Sequence, residues 1–197
     1  IDYTIISGKI ENATAKKIII YSQFDTSEKK EIVIAENGTF RDTLKMNCNF
    51  FLLREDRNMT EFYAPNGSDI DINYNSKKKD STLILSGSLR TINNYLFNKN
   101  KANAAIAGDQ KERFLKDETA FKTQALKIKT TEEDLLYKTV GIPEAFKINE
   151  RKNINYSYLA SLNIYQSYHG YYIEDRSFET SENFLSELKG LKLENET

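Results

Sequence analysis

The side chains that most often carry out catalysis are scarce in this chain. Among its 197 residues there is one cysteine, Cys48, and one histidine, His169. One cysteine cannot form an internal disulfide, and one histidine is too few for most zinc sites. A reactive Cys48 would need a nearby cation or helix N-terminus to lower the pKa of its thiol. We expect it instead to pack as a small apolar residue, since free cysteine is among the most buried residue types.

His169 lies between Tyr168 and Gly170, where the sequence predicts the end of a helix. An imidazolium near a helix C-terminus interacts favourably with the helix dipole. We therefore expect His169 to cap its own helix. The alternative is a pH switch or a general base, for which the sequence offers no obvious nucleophile or carboxylate partner.

Asp69 and Asp71 share one face of a predicted strand, and Asp80 follows nearby. Paired carboxylates can bind Ca²⁺ or act as acid and base. A Ca²⁺ site needs about six or more oxygen ligands, which several segments must supply. Because these residues alternate with a clean apolar face, we expect them to keep that surface hydrated. The run Lys77–Asp80 is expected to form a solvated turn between strands.

Six tyrosines lie between Tyr156 and Tyr172, a density found nowhere else in the chain. Tyrosine is favoured at protein interfaces because it combines a broad apolar ring with a polar tip. Packing between the helices of the chain itself is the other explanation. We expect the helical residues from 143 to 191 to form the main self-association or client-binding surface. Its candidate residues are Tyr156, Tyr165, Tyr168, Tyr171, Tyr172, Phe184 and Leu188.

Composition narrows the class of protein. The chain is 39% hydrophobic and 29% charged, with a net charge of -1, which is typical of a folded protein and not of a disordered one. A nucleic-acid-binding protein usually has a basic excess, which is missing here. No apolar run approaches the roughly 20 residues of a transmembrane helix. The sequence has no C-x-x-C, no G-x-S-x-G and no Gly-rich phosphate loop, so we expect no cofactor and no metal.

The first 90 residues have the pattern of strands. Ser68–Tyr74 alternates polar with apolar residues and predicts a half-buried antiparallel strand, and Gly38–Leu44 predicts another with Phe40 and Leu44 inward. Asn37-Gly38 predicts a hairpin, because both residues tolerate positive φ, and Pro65-Asn66-Gly67 predicts a turn. About eight short strands at this spacing favour a sandwich or barrel.

From residue 91 onward the apolar spacing is helical. Phe114, Phe121, Ile128 and Leu135 recur every seven residues, and Ile154, Tyr158, Leu162, Tyr165 and His169 form a second stripe. Glu132-Glu133-Asp134 is either a polar face or the start of a new helix. Gly141 is expected to end one helix, Pro143 to begin the next and Gly170 to stop it. A last amphipathic piece contains Phe184, Leu185, Leu188 and Leu191.

We therefore predict an α+β chain, with strands and helices segregated rather than alternating. Residues 1–90 form an N-terminal antiparallel β-sandwich of about eight strands. Residues 91–197 form a helical segment that follows it.

Several short segments carry a family resemblance. Ile6-Ser7-Gly8-Lys9-Ile10 opens the first strand, and Phe62–Ser68 leads into the alternating strand. Leu85–Ser88 is followed in the sequence by Asn93-Asn94-Tyr95-Leu96, and Phe184–Leu191 is the last of these segments. In this order the segments resemble the N-terminal region of TlpA-type thioredoxin-like lipoproteins, thiol–disulfide oxidoreductases of Bacteroides-type cell envelopes.

The resemblance implies a β-sandwich domain of unknown function and a helical segment, with a thioredoxin domain downstream. The family's Trp-Cys-x-x-Cys active site has no counterpart here, so no catalytic residue carries over and we expect no enzyme activity within this chain. We expect a fragment cut before the thioredoxin domain, or a relative that lacks it.

The function implied is that of an accessory region that positions the redox domain, forms a homodimer or binds client proteins. Its location would be the periplasm or cell envelope, with a lipid anchor on a removed N-terminus as one route. The alternative is a self-standing envelope module that binds a glycan or small ligand. Catalysis around His169 or the carboxylates is the least favoured function.

Overall fold

A computed structural model describes residues 1–23 and 25–189 of the chain. It divides into two compact units, residues 1–97 and 98–197. Eight strands precede the long helices, which confirms the α+β class. The strands are β1 Thr4–Glu11, β2 Lys17–Ser22, β3 Lys29–Val33, β4 Thr39–Leu44, β5 Phe50–Glu55, β6 Asn58–Tyr63, β7 Asp69–Asn75 and β8 Ile84–Gly87. The helices are α1 Lys79–Thr82, α2 Arg90–Ala107, α3 Gln110–Phe114, α4 Glu118–Lys138 and α5 Glu144–Tyr172, with 3₁₀ turns at Ser76–Lys78 and Ser186–Leu188.

Two four-stranded sheets form the first unit. One has the order β4-β1-β7-β8 and the other β3-β2-β5-β6. Neighbouring strands are antiparallel except for β1 and β7, which are parallel, with Ile6 opposite Ile70 and Gly8 opposite Ile72. The first strand of the chain thus lies between a strand from the middle and one from the end of the unit.

The sandwich core lies between the two sheets, because alternate residues of every strand point inward. Ile70, Ile72 and Tyr74 are buried as the alternation predicted, and so are Phe40 and Leu44. The apolar runs in β2 and β5 also alternate, buried on the core side and half-buried on the other. One cluster unites both sheets, and it includes Ile6, Ile10, Ile18, Ile20, Phe51, Leu53, Phe62 and Leu85.

The Asn37-Gly38 turn forms, but the hairpin pairing that it predicted is wrong. The Gly38 N–H donates to the Ala35 carbonyl at 2.8 Å, and Gly38 has a φ of +84°. The strands on either side, β3 and β4, belong to different sheets. The turn therefore carries the chain across the sandwich, because local turn chemistry fixes a reversal and not the strand partners.

Aromatic residues fill the core of the second unit. Its cluster joins α3, α4, α5 and the segment after α5, and it consists of Phe114, Phe121, Ala125, Tyr158, Leu159, Leu162, Tyr165 and Phe184. Asp109 and Asp117 cap α3 and α4, since their carboxylates accept the backbone N–H groups of Glu112 and Ala120 at 3.0 and 2.8 Å.

Two helix boundaries differ from the prediction, and one open alternative is decided. Glu132-Glu133-Asp134 lies inside α4, so no new helix starts there, and Pro143 is the residue before α5 rather than within its first turn. Gly170 does not stop α5, which continues to Tyr172. A Cβ on Gly170 would lie 2.7 Å from the Asp175 carbonyl oxygen, so glycine is needed there for the returning chain.

The last amphipathic piece is irregular rather than α-helical. Phe184 is buried, Leu185 and Leu188 are partly buried against the aromatic cluster, and a single 3₁₀ turn covers Ser186–Leu188. Leu191 lies outside the described residues.

Gly8 should be essential for the β1–β7 pairing. A Cβ at this position would lie 1.9 Å from the Ile72 carbonyl oxygen and 2.7 Å from the Phe40 ring. We expect Gly8→Ala to lower the free energy of unfolding by about 3 kcal/mol, because backbone must shift to admit a methyl group. Gly67→Ala is the control: it has open space and only a positive φ, so it should cost about 1 kcal/mol. Urea unfolding followed by circular dichroism measures both, and equal costs would contradict the steric argument.

Candidate functional site

The six clustered tyrosines all lie on α5 but divide between its two sides. Tyr158 and Tyr165 are buried, and Tyr172 is half-buried. Tyr156, Tyr168 and Tyr171 are exposed. Packing within the chain and a free aromatic surface are therefore both present, on opposite sides of one helix.

Tyr165 is fully buried and belongs to the interior. Its hydroxyl donates to the Lys116 carbonyl at 2.7 Å, and its ring centroid lies 4.5 Å from that of Phe121 and 4.9 Å from that of Phe184. Burial, with Glu118 and Asp117 nearby, raises the pKa of Tyr165 to about 12, so the phenol stays protonated. Tyr165 and Phe184 thus cannot be surface residues of this unit, contrary to the prediction.

His169 does not cap its own helix as predicted. Its Nδ1 lies 2.7 Å from the carbonyl oxygen of Phe114, the last residue of α3, and a carbonyl partner requires this nitrogen to donate. The imidazole thus caps α3 from a neighbouring helix. Its ring packs against Phe178, with centroids 4.4 Å apart.

From Asn153 to its end, the exposed side of α5 lacks charged residues. No Asp, Glu, Lys or Arg occurs between Asn153 and Ile173, although 29% of the whole chain is charged. We call the exposed residues along this side the uncharged face: Tyr156, Ser157, Ala160, Asn163, Ile164, Ser167, Tyr168 and Tyr171. Tyrosine mixed with serine, asparagine and small residues is also the composition of antibody binding surfaces.

Three of the predicted surface residues lie on the uncharged face. Tyr171 is the most exposed, at 70%, and Tyr168 stacks partly on Phe114 with ring centroids 4.7 Å apart. Tyr172 and Leu188 are half-buried beside the aromatic cluster and form its border. The exposed surface is therefore narrower than the predicted one and adds Ile164, which the tyrosine pattern did not single out.

A buried polar cluster in the same unit was not predicted. The Lys99 ammonium on α2 lies 2.5 Å from Glu150 on α5, with side-chain exposures of 16% and 2%. Asn103 donates its amide N–H to the buried Glu132 of α4. A signal was available, since Glu132 and Glu150 fall on the same helical stripes as Phe121 and Ile154.

Electrostatics sets the two buried carboxylates apart. Burial raises the pKa of Glu132, the Glu150 carboxylate adds to that effect, and Asn103 and Lys99 oppose it. Glu150 shares a close ion pair with Lys99. Within residues 1–23 and 25–189 no group of three His, Cys, Asp or Glu side chains could hold a metal ion. The cluster therefore joins α2, α4 and α5, but its described residues lack the ligands of a metal centre.

Cys48 is half-buried and packs against the sandwich core. Its thiol donates to the Phe50 carbonyl at 3.4 Å, and burial raises its pKa. A raised pKa disfavours the nucleophilic thiolate. The surroundings are those of a small apolar residue.

The two carboxylates of the predicted pair differ in their surroundings. Asp71 accepts hydrogen bonds from Ser7 at 2.9 Å and from Asn73 and Ser86, whereas Asp69 is exposed. Lys77–Asp80 is not the simple solvated turn that we expected. It spans a 3₁₀ turn and the start of α1, and the half-buried Lys79 donates to the Met59 carbonyl.

Glu55 is a buried carboxylate that the sequence did not reveal. It accepts hydrogen bonds from the Thr14 backbone and hydroxyl, both at 2.8 Å, from Asn58 at 2.9 Å and from Ser76 at 2.7 Å. Burial opposes ionisation, but these donors keep its pKa below the usual range. Glu55 thus joins three loops at one end of the sandwich.

Each unit has an open cleft among its described residues. The first, of about 610 Å³, lies at an end of the sandwich and is lined by Ile10–Ala13, Ala15, Lys16 and Val33–Gly38. The second, of about 510 Å³, lies beside α4 and is lined by Ala105, Ile106, Lys116, Ala120, Thr123, Gln124 and Lys127.

Comparisons with known proteins give no match: no family model, no curated protein and no solved structure is similar to this chain. Among the described helices, none combines the length and apolar character that a bilayer crossing requires.

The buried cluster should respond unequally to neutralisation of its two carboxylates. Because the folded protein binds the Glu132 proton more tightly than the unfolded chain does, stability falls as pH rises from about 4.5 through the raised pKa. Glu132→Gln keeps the acceptor for Asn103 and should remove this loss, raising stability at pH 8. Glu150→Gln deprives the buried Lys99 of its closest charge and should cost about 3 kcal/mol. Urea unfolding at pH 5 and pH 8 checks this, and similar effects of both variants would contradict it.

Cys48 should react slowly in the native protein. We expect a bulky thiol reagent to label it many times faster in urea than in buffer, because packing shields the thiol and its pKa is raised. The reference is an exposed thiol from Ser81→Cys in a Cys48→Ala background, because Ser81 is exposed and lies outside the uncharged face. Cys48→Ala itself should cost about 1 kcal/mol as a small cavity-forming change. Native labelling of Cys48 at the rate of the reference thiol would refute its packing role.

Proposed function

We propose that this chain is a non-catalytic interaction module that binds proteins through the uncharged face of α5. Its place would be the one that the resemblance implies, the accessory region of a thioredoxin-like protein of the cell envelope or periplasm. There it would position the redox domain, dimerise or hold client proteins. The observation that carries the proposal is the exposed, charge-free aromatic side of a helix that is firmly packed on its other side.

The geometry of α5 favours protein binding over simple exposure. The Tyr165 hydroxyl and the His169 imidazole tie the helix to the carbonyls of Lys116 and Phe114. The exposed tyrosines are therefore presented by a fixed backbone, which reduces the entropy lost on binding. A face without charges also has no ion to desolvate when a partner covers it.

The surroundings of the chemically reactive groups support a non-catalytic role. Cys48 has a raised pKa, His169 is held by a backbone carbonyl, and Asp71 is hydrogen-bonded within its sheet. Each of these groups has a structural partner that accounts for its position. The envelope location and a lipid anchor are proposed from the resemblance alone.

A ligand-binding module is the second candidate, and the cleft at the end of the sandwich favours it. Glu11, Asn12, Lys16 and Glu36 place charged and amide groups around this opening of about 610 Å³. Such groups could hydrogen-bond the hydroxyls of a glycan or a small polar ligand.

Paired tyrosine variants test the interaction module. Three activities of the full chain are measured: self-association by sedimentation, binding to a purified TlpA-type thioredoxin domain, and suppression of aggregation of a denatured client. We expect the wild-type chain to show at least one of these activities. The double variant Tyr168→Ser with Tyr171→Ser should weaken it about tenfold or more, since aromatic anchors dominate interface energies.

Tyr137→Ser is the matched control, because Tyr137 is 87% exposed on α4 and lies outside the uncharged face. It should leave every activity unchanged. Absence of all three activities, or equal loss in the control, would overturn the proposal. Saturable glycan binding that is sensitive to Lys16→Ala would favour the second candidate.

A further inference from the structure

The uncharged face of α5 is suited to contact with its own copy. A two-fold axis places the same patch of each subunit against the other, so any charge near the axis meets a like charge. The run from Asn153 to Ile173 contains no ionised carboxylate, lysine or arginine. Self-contact there therefore avoids the repulsion that most surface patches of this highly charged chain would suffer.

The spacing of small residues on this face defines a register. Ala160 and Ser167 are exposed and one heptad apart, with Asn163 and Ile164 between them. In an antiparallel pair centred between Asn163 and Ile164, Ala160 of one copy faces Ser167 of the other. Small side chains that face each other allow two helix backbones to approach closely.

The same register places the exposed tyrosines at the two ends of the contact. Tyr156 of one copy then faces Tyr171 of the other, and the arrangement repeats on the far side of the axis. Tyr156 and Tyr171 are 41% and 70% exposed, so their rings are available to cover each other. Offset or edge-to-face aromatic pairs stabilise an interface beyond the area that they bury.

Charges beyond the face select the antiparallel direction. The first turns of α5 carry three cations, Lys147, Arg151 and Lys152, against two carboxylates, Glu144 and Glu150, and Glu150 is buried in its ion pair with Lys99. Just past the helix, Glu174 and Asp175 outnumber Arg176. An antiparallel pair brings the basic end of one helix to the acidic end of the other and also opposes their dipoles favourably, whereas a parallel pair would juxtapose like charges.

We propose that the occupant of the uncharged face is a second copy of this chain, bound as an antiparallel α5–α5 pair about a two-fold axis near Asn163 and Ile164. The proposal rests on the proposed function only in assigning this face to protein contact. It adds the partner, the direction and the register.

Disulfide trapping tests the register. In a Cys48→Ala background, Ala160→Cys and Ser167→Cys chains are mixed under mild oxidation. We expect about tenfold more disulfide dimer in the mixture than with either variant alone, because facing Cα atoms lie within the roughly 7 Å that a disulfide spans. In the same register, the two copies of residue 160 would be about 10 Å apart along the helix axis, which is too far for a disulfide.

A parallel pair would reverse this result, since Ala160→Cys alone would then crosslink, and that outcome overturns the proposal. Absence of any crosslink together with a monomeric wild-type chain in sedimentation overturns it as well. The proposed function would survive that second outcome if Tyr168→Ser with Tyr171→Ser still abolished thioredoxin-domain or client binding.

A charge at the centre of the face provides the second test. Ala160→Arg places two arginines near the axis and should convert the dimer to monomer in sedimentation. Ala145→Arg is the matched control, because Ala145 is exposed on the same helix but lies N-terminal to the paired segment. It should leave the dimer intact. Circular dichroism checks that both variants fold, and a dimer that survives Ala160→Arg overturns the proposal.

Discussion

The rotation of α5 about its own axis decides which side chains the helical unit presents to solvent. Tyr165 fixes this rotation, because its ring packs on Phe121 and its hydroxyl reaches the Lys116 carbonyl at 2.7 Å. His169, one turn later on the same side, holds the Phe114 carbonyl. Since successive helical residues point about 100° apart, a helix held at these positions must direct Tyr171 and Ile164 outward.

Buried charge secures the half of α5 that the aromatic cluster does not reach. Glu150 lies four residues before Ile154 and pairs with Lys99 across two helices. Replacing such a pair with apolar residues often costs nothing, so its value is better understood as specificity. A helix that slipped by one residue would strand both charges in the interior. In the sandwich unit the buried Glu55 has a comparable role, since its four hydrogen bonds at 2.7–2.9 Å join three loops.

The sequence predicted which side of a strand is buried better than it predicted which strands pair with each other. The alternation in Asp69–Tyr74 identified the buried side of β7, because side-chain direction is a local property of a strand. It could not identify β1 as a parallel neighbour, since that pairing joins residues more than sixty positions apart. Asn37-Gly38 shows the same limit. The turn forms because its chemistry is local, whereas the two strands beside it, β3 and β4, belong to different sheets of the sandwich.

The helical site was predicted in part. The stripe through Ile154, Tyr158 and Tyr165 correctly indicated the buried side of α5. The density of tyrosines had assigned Tyr165 to the exposed surface, and its burial shows that this assignment was wrong. Glu132 was assigned either to a polar face or to the start of a new helix, because its charge outweighed its position on the stripe. Spacing is the better guide where the two disagree, since a buried carboxylate can find donors but a helix cannot rotate one residue alone.

In the proposed function, folding and binding use different sides of the same helix. The buried side supplies the stability of the unit through Tyr158, Leu162 and Tyr165. The exposed tyrosines contribute little to that packing, and Tyr171 keeps 70% of its surface in solvent. Selection for folding alone would tolerate lysine or glutamate on the outer side of α5, as it does on α4. Packing of the buried side therefore does not account for the complete lack of charge from Asn153 to Ile173, whereas the proposed contact with another protein would.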